Sequence, residues 1–206
     1  MAKIDTVFVT KIYRASLRGR NAQRLNTELK SAISTVADED VAGQRWSENK
    51  GFKGYTSYAS LADLTWRMPE FAALQQYLDT HVGDFAKELD LDIGNEPLVL
   101  DSIWINVLEP GGVHGAHIHP NSVVSGTYYV DVPTGAGAIR FEDPRLQMMM
   151  AAPMRKDRAR SENKSFISIE PKPGMLLLWE SWLRHEVPMN AGEEERISIS
   201  FNYGTP

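Results

Sequence analysis

The sequence contains no cysteine, and this absence excludes several kinds of chemistry. Disulfides, thiolate metal sites and cysteine nucleophiles all need a thiol, so any metal must be bound through nitrogen and oxygen. The chain also lacks an apolar run near the roughly 18 residues that a membrane span requires. Residues 1–11 carry polar side chains and lack the apolar core of a signal peptide. We therefore predict a cytoplasmic protein with no membrane partner.

An excess of positive charge is missing as well. The chain has 22 Lys and Arg residues against 27 Asp and Glu residues, which gives a formal net charge of -5. Proteins that bind nucleic acid normally present a basic stripe to the phosphate backbone. The one basic run, residues 155–160, is interrupted by Asp157 and is typical of a solvated loop. We predict no nucleic-acid partner.

Low-complexity segments and internal repeats are also absent. A chain of 206 residues with 42% hydrophobic residues fits one globular domain, since β-rich single domains reach about 200 to 250 residues. No glycine-rich phosphate loop follows a candidate strand, which argues against a nucleotide-binding fold. We predict a single domain over residues 1–206, with helical support and loops in 1–97 and a β core in 98–206.

Hydrophobic spacing predicts two helices in the N-terminal half. Residues 7–13 suggest a short strand, and residues 21–36 place apolar side chains at helical spacing. Residues 43–60 are rich in Gly, Ser, Asn and Tyr with little periodicity, so we expect a long loop or an irregular strand near the surface. A second amphipathic helix is expected from Pro69, which suits a first helical turn, to about Leu89.

Beyond Pro97 the sequence changes to alternation and short apolar runs. These patterns predict strands at 98–108, 123–132, 138–141, 165–169, 175–180 and 196–203. Two helices followed by six short strands favour an α+β fold that is mainly β, with helices supporting one face of a sandwich or small barrel.

Three of the five histidines fall within six residues. If residues 117–119 are extended, the side chains of His117 and His119 project to one face and can share an ion. His114 is out of that phase. His185 follows a Pro-Gly turn and an apolar strand, which would return a third imidazole to the same place. The spacing predicts a metal site on His117, His119 and His185.

Arg196 stands on an otherwise apolar strand. Alternation puts Arg196, Ser198 and Ser200 on one face and the intervening apolar side chains on the other. A guanidinium that faces a cavity is suited to binding a carboxylate through its planar fork. An ion pair with one of the glutamates at 193–195 is the alternative.

These features occur in the order of a known family. The matching segments are His117-Ile-His119-Pro-Asn, Ser125-Gly-Thr-Tyr-Tyr, Pro173-Gly-Met-Leu-Leu-Leu-Trp, His185-Glu-Val and Arg196-Ile-Ser-Ile-Ser-Phe-Asn. The sequence here resembles the prolyl-hydroxylase-like 2-oxoglutarate- and Fe(II)-dependent oxygenases, especially a small bacterial and phage group. The resemblance runs from about residue 104 to residue 203 and implies a double-stranded β-helix, or jelly roll, buttressed by N-terminal helices.

The resemblance also implies roles for individual residues. His117 matches the first metal histidine, His185 the distal one, and Arg196 the residue that binds the far carboxylate of 2-oxoglutarate. Tyr129 matches a tyrosine that contacts the same cosubstrate, and Ser198 is expected beside it. Further candidates for the pocket lining are Trp104, Asn106, Asn121 and Ser125, and of these we assign Asn106 to the cosubstrate site.

His119 departs from the family pattern, because the wider family has an aspartate there. We favour three histidine ligands, since imidazole is a sound ligand for iron. A carboxylate from elsewhere, Glu142 or Asp143, is the alternative.

The implied function is hydroxylation of a small-molecule or peptide substrate, coupled to decarboxylation of 2-oxoglutarate to succinate at Fe(II). Two other readings stay open. A cupin-type metalloenzyme fits the opening from Gly111 to His119, but the glutamate expected after the second histidine is absent. A non-catalytic jelly roll that binds a metal or small ligand is the third. The primary substrate and the oligomeric state are not predicted by the sequence.

Overall fold

Four helices and ten strands make up the computed structural model, which describes residues 1–206. The helices are α1 (Gly19–Glu39), α2 (Val41–Lys50), α3 (Leu64–Arg67) and α4 (Pro69–Glu88). The strands are β1 (Ile12–Ser16), β2 (Gly54–Thr56), β3 (Val99–Leu108), β4 (His114–His117), β5 (Val124–Asp131), β6 (Ile139–Glu142), β7 (Phe166–Ile169), β8 (Met175–Glu180), β9 (His185–Val187) and β10 (Arg196–Gly204). None of the helices has the length and apolar character needed to cross a bilayer.

The strands form two antiparallel sheets. The larger sheet has the order β1-β8-β5-β10-β3-β2, and the smaller sheet has the order β4-β9-β6-β7. From β3 onward the chain passes back and forth between the sheets, except that β6 and β7 are successive strands of the smaller one, in the manner of a double-stranded β-helix. The predicted fold class, mainly β with N-terminal helices, is therefore confirmed.

The helices pack on the outer face of the larger sheet. Leu29 and Ile33 of α1 and Phe71 of α4 are fully buried in the main hydrophobic cluster, together with outward-facing residues of the sheet such as Leu178 and Phe201. Each such side chain contributes roughly 1.5 to 3 kcal/mol through burial. The two predicted amphipathic helices, α1 and α4, thus form one layer that supports the larger sheet.

A second, smaller hydrophobic cluster lies between the two sheets. Alternation along β8 sends Leu178 to the helices and Trp179 to the inside, where Trp179 meets Phe141 and Ile139 of β6. Tyr129 of β5 belongs to the same inner cluster. This cluster fills part of the space between the sheets, and polar side chains line the rest.

The loop or irregular strand predicted at 43–60 is wrong for the first part of this segment, which belongs to α2, whereas the short strand β2 lies in the second part. The Asp40 side chain accepts a hydrogen bond from the Gly43 amide at the start of α2, and Gly51 ends the helix in the left-handed conformation, at φ 66. The buried residues of α2 are Gly43 and Ser47, so the helix shows no apolar periodicity. Its caps were the only local signal of a helix.

The strand predicted at 7–13 is displaced toward the C-terminus. β1 begins at Ile12, which pairs with Trp179 near the end of β8. Residues earlier than Ile12 have almost no strand left to pair with, because β8 ends at Glu180. The apolar side chains of Val7, Phe8 and Val9 are exposed accordingly.

Candidate metal centre

Three histidine side chains converge at the edge of the smaller sheet. His117 ends β4 and pairs in register with His185, the first residue of β9, while His119 follows two residues later. The Nε2 atoms of His117 and His119 are 3.1 Å apart, and one ligand atom from each of the three residues lies within 4.8 Å of the others. Two imidazoles that share an ion at about 2.0 to 2.1 Å place their nitrogens about 3 Å apart. The cluster therefore has the dimensions of a metal site.

Hydrogen bonds fix which nitrogen of each ring faces the centre of the cluster. The Nδ1 atom of His117 lies 2.7 Å from the Gly115 carbonyl oxygen, and that of His185 lies 2.9 Å from the Leu183 carbonyl oxygen. Because a carbonyl can only accept, each Nδ1 carries the proton and donates it. Both Nε2 lone pairs are left free for an ion.

Burial keeps these imidazoles neutral. Burial, with a smaller contribution from the neighbouring histidines, lowers the pKa of His185 to about 2 and that of His119 to about 4. Burial also lowers the pKa of His117. A metal binds only the neutral form of imidazole, so the cluster is in its ligating form at neutral pH without losing a proton.

No carboxylate belongs to this cluster, whose candidate ligands are three histidines alone. Glu142 lies 3.4 Å from the Arg184 guanidinium, and Asp143 lies 2.9 Å from that of Arg145. Both acids are thus occupied elsewhere, and the structure does not bring Glu142 or Asp143 to the histidines.

The larger sheet provides the polar wall opposite the histidines. Strands β3, β10 and β5 are neighbours, and their register aligns side chains of the same face in rows. The rows that line the cavity are Asn106, Ser198 and Tyr129, then Trp104, Ser200 and Thr127. The structure thus places Asn106, Ser198 and Tyr129 side by side, in the cavity that the histidines also line.

Arg196 is the charged group of that cavity. Its side chain is only 4% exposed, and it forms no ion pair with any Asp or Glu. Its guanidinium carbon lies 5.1 Å from the centroid of the Tyr129 ring. The alternative pairing with the glutamates at 193–195 is therefore not formed. A buried guanidinium without a carboxylate of the protein is suited to an anionic ligand.

Two polar atoms without a partner, one in Arg196 and one in the neighbouring Tyr129, support the same conclusion. The Nε of Arg196 and the hydroxyl of Tyr129 are both buried without a hydrogen-bond partner. Burial raises the pKa of Tyr129, so its hydroxyl stays protonated and is available as a donor. Two adjacent buried donors without an acceptor match the oxygens of a carboxylate.

Both ends of the Asn106 side-chain amide form hydrogen bonds within the protein. It donates to the Ser200 hydroxyl at 3.1 Å and accepts from the Thr56 hydroxyl at 3.0 Å. Ser198 is buried between Asn106 and Tyr129 in the register. Asn121, by contrast, lies in an exposed turn with φ 69 and does not line the cavity.

His114 also lines the cavity, although strict alternation excluded it. His117 is three positions after His114 on β4, but their partners His185 and Val187 are only two positions apart on β9. The resulting bulge turns His114 to the inside, where its ring stacks on His117 with centroids 4.5 Å apart. Burial lowers the pKa of His114 to about 4. A period-two argument cannot detect such a bulge.

Comparison with known families gives a match over residues 102–202, to the family described as "Putative 2OG-Fe(II) oxygenase". This segment contains all three histidines, Tyr129 and Arg196. No curated protein matches the chain significantly in sequence.

Solved structures with the same fold cover almost the whole chain. A prolyl-4-hydroxylase from Pseudomonas putida aligns with a TM-score of 0.61 at 15% identity, over 96% of this chain and 94% of its own. HygX from Streptomyces hygroscopicus, solved with nickel, 2-oxoglutarate and hygromycin B, gives 0.62 at 17% identity, over 95% and 83%. The epimerase SnoN from nogalamycin biosynthesis, described as non-heme and α-ketoglutarate dependent, gives 0.63 at 13% identity, over 95% and 78%. At these identities the likeness shows the fold.

Proposed function

Because residues 102–202 belong to the superfamily of 2-oxoglutarate- and Fe(II)-dependent oxygenases, with a prolyl-hydroxylase-like fold, we propose that this protein is a dioxygenase of that kind. It would couple the oxidative decarboxylation of 2-oxoglutarate to hydroxylation of a second substrate. The metal ligands are His117, His119 and His185, and the cosubstrate is bound by Arg196 with Tyr129, Ser198 and Asn106.

One observation carries this proposal: three neutral imidazoles and an unpaired guanidinium line the same cavity. Imidazoles alone would suit many metal sites, and a buried arginine alone would suit many anions. Together they fit a ligand that binds a metal at one end and carries a carboxylate at the other. 2-Oxoglutarate is such a molecule, and HygX was solved with nickel and 2-oxoglutarate.

The charge of a metal site with three histidine ligands also suits a dianionic cosubstrate. Three neutral histidines leave the metal one unit more positive than two histidines and a carboxylate do. The cavity therefore offers two positive centres, the ion and Arg196, to a dianionic cosubstrate. When bound, Fe(II) supplies the oxygen chemistry that yields succinate, carbon dioxide and an oxidised substrate. The protein orients the cosubstrate and excludes water around it.

The second substrate is proposed to be a small molecule or a peptide. The similar structures include a prolyl-4-hydroxylase and an enzyme solved with hygromycin B. The long connection between β6 and β7, residues 143–165, has no regular structure beyond two short 3₁₀ turns. Loops of this kind commonly carry substrate specificity.

Formation of succinate tests the proposal. Purified protein is supplied with Fe(II), ascorbate, 2-oxoglutarate and dioxygen, and succinate is measured with and without candidate substrates. We expect Fe(II)-dependent succinate that is absent in His185→Ala and retained in Arg140→Ala, whose guanidinium pairs with Glu186 outside the cavity. Metal binding without any use of 2-oxoglutarate would favour a cupin-type enzyme or a binding module instead.

A further inference from the structure

We propose that Asn202 is a positioning residue that holds His119 in the tautomer and orientation needed for a metal ligand. This inference rests on the proposed metal centre and concerns the position at which the chain departs from its wider family. It assigns a function to a group of buried polar side chains behind His119, formed by Asn202, Ser125 and Ser181.

The contacts of His119 single out Asn202. The Nδ1 atom of His119 lies 2.6 Å from Oδ1 of Asn202 and 2.8 Å from the hydroxyl of Ser125. The Ser125 hydroxyl lies 2.7 Å from the same Oδ1 atom and 2.7 Å from the hydroxyl of Ser181. All of these hydrogen bonds are buried or partly buried, so water competes little for their atoms.

The donors and acceptors of this group are mutually consistent with Oδ1 of Asn202 facing His119. The amide nitrogen of Asn202 donates to the hydroxyl of Ser102 at 3.0 Å, which turns Oδ1 toward His119. Oδ1 then accepts from both Nδ1–H of His119 and the Ser125 hydroxyl, and Ser181 donates to Ser125. With the proton held on Nδ1, Nε2 of His119 keeps its lone pair toward His117.

His119 differs from the other two histidines in the kind of acceptor that its Nδ1–H has. Main-chain carbonyl oxygens accept from His117 and His185, whereas a side chain accepts from His119. The register explains how: Asn202 is paired with Ser102 on one side and Ser125 on the other, one row beyond Ser200. An acceptor in this position favours an imidazole N–H at residue 119 and disfavours the free oxygen of a carboxylate. The surroundings are thus matched to a third histidine.

Binding of Co(II) to the whole protein tests this inference, because the ion reports both affinity and ligand geometry. Asn202→Leu removes the acceptor at similar size, and we expect Co(II) binding to weaken about 10-fold to 100-fold. Asn202→Asp keeps an acceptor with more charge, so we expect an affinity within about threefold of wild type or tighter, with a shifted ligand-field spectrum. Asn26→Leu is the control, since Asn26 bonds to Val130 and Tyr128 on the helix-covered side of β5.

The outcomes separate the two proposals. A wild-type protein that binds no Co(II) would contradict the metal centre itself. Wild-type affinity and spectrum in Asn202→Leu would overturn only the role of Asn202, as would an equal loss of affinity in Asn26→Leu. If circular dichroism shows that the leucine variant is unfolded, Asn202→Asp decides alone, and an unchanged ligand-field spectrum in that variant overturns the inference.

Discussion

Replacing Arg196 with alanine is the sharpest perturbation of the proposed cosubstrate site. Arg196 is 4% exposed, has no carboxylate partner in the protein and lies over the ring of Tyr129. Its charge is therefore free to serve an anionic ligand. We expect Arg196→Ala to weaken 2-oxoglutarate binding while leaving metal content unchanged, because the histidines stand on the smaller sheet and in the loop beside it.

The size of this effect follows from the burial of the pair. Removing one partner of a buried, hydrogen-bonded charge pair costs about 2 to 5 kcal/mol. Each 1.4 kcal/mol is about tenfold in affinity, so even the lower limit predicts a loss of roughly 30-fold. Arg196→Lys should recover part of this loss, because lysine keeps the charge but cannot form two parallel hydrogen bonds.

Calorimetric titration without oxygen measures this directly. Nickel-loaded wild type, Arg196→Ala, Arg196→Lys and the control Arg140→Ala are each titrated with 2-oxoglutarate. Arg140 is the matched control, because it is an arginine of a strand and pairs with Glu186 rather than facing the cavity. Equal affinities in wild type and Arg196→Ala would remove Arg196 from the site and refute the reasoning from its burial.

Three other changes have defined outcomes. In the metal-free protein, burial lowers the pKa of His185 to about 2, whereas in the unfolded chain it is near 6.5, so protons favour unfolding as the pH falls below 6.5. Denaturant titrations should therefore show that the free energy of unfolding of the wild type falls by about 2 kcal/mol more between pH 7.5 and pH 5 than that of His185→Gln. Equal pH dependence in both proteins would contradict this. Tyr129→Phe removes a buried donor beside Arg196 and should weaken 2-oxoglutarate binding about tenfold by calorimetry, and an unchanged affinity would exclude the hydroxyl from the site. Gly126→Ala would put a Cβ 2.4 Å from the Phe201 ring and 2.7 Å from the Leu177 oxygen, so thermal melts should show about 1 to 3 kcal/mol of destabilisation; a wild-type melt would show that the sheet can shift there.

The sequence predicted most of the β core because its strands have strong, simple patterns. The strand predicted at 196–203 is β10, and Ser198 and Ser200 line the cavity while Ile199 and Phe201 join the main core. Asn202 continues the same alternation, so extending the pattern by two residues would have found it. The sequence failed where burial involves small residues, as in α2, whose inner face is Gly43 and Ser47.

Several features of the candidate site depend on contacts between strands that are far apart in the chain. The pairing of His117 with His185 depends on the register of strands that are far apart in the chain, and only the order of motifs suggested it. His114 was excluded by alternation because a bulge changes the phase between His114 and His117. The position of Ser181 beside Ser125 likewise depends on the neighbouring strands β8 and β5. Side chains that come together through tertiary structure have no periodic signal.

The most direct test of the three-histidine centre is an anaerobic titration of the Fe(II)-loaded protein with 2-oxoglutarate, followed by visible absorption. A keto acid that chelates Fe(II) gives a metal-to-ligand charge-transfer band, so both the metal and the cosubstrate must be in place for it to appear. We predict a band that saturates at one 2-oxoglutarate per chain, is absent in His117→Ala, His119→Ala and His185→Ala, and persists in Arg140→Ala. Absence of the band from the wild-type protein with one Fe(II) bound, or its survival in any of the three histidine variants, would contradict the account.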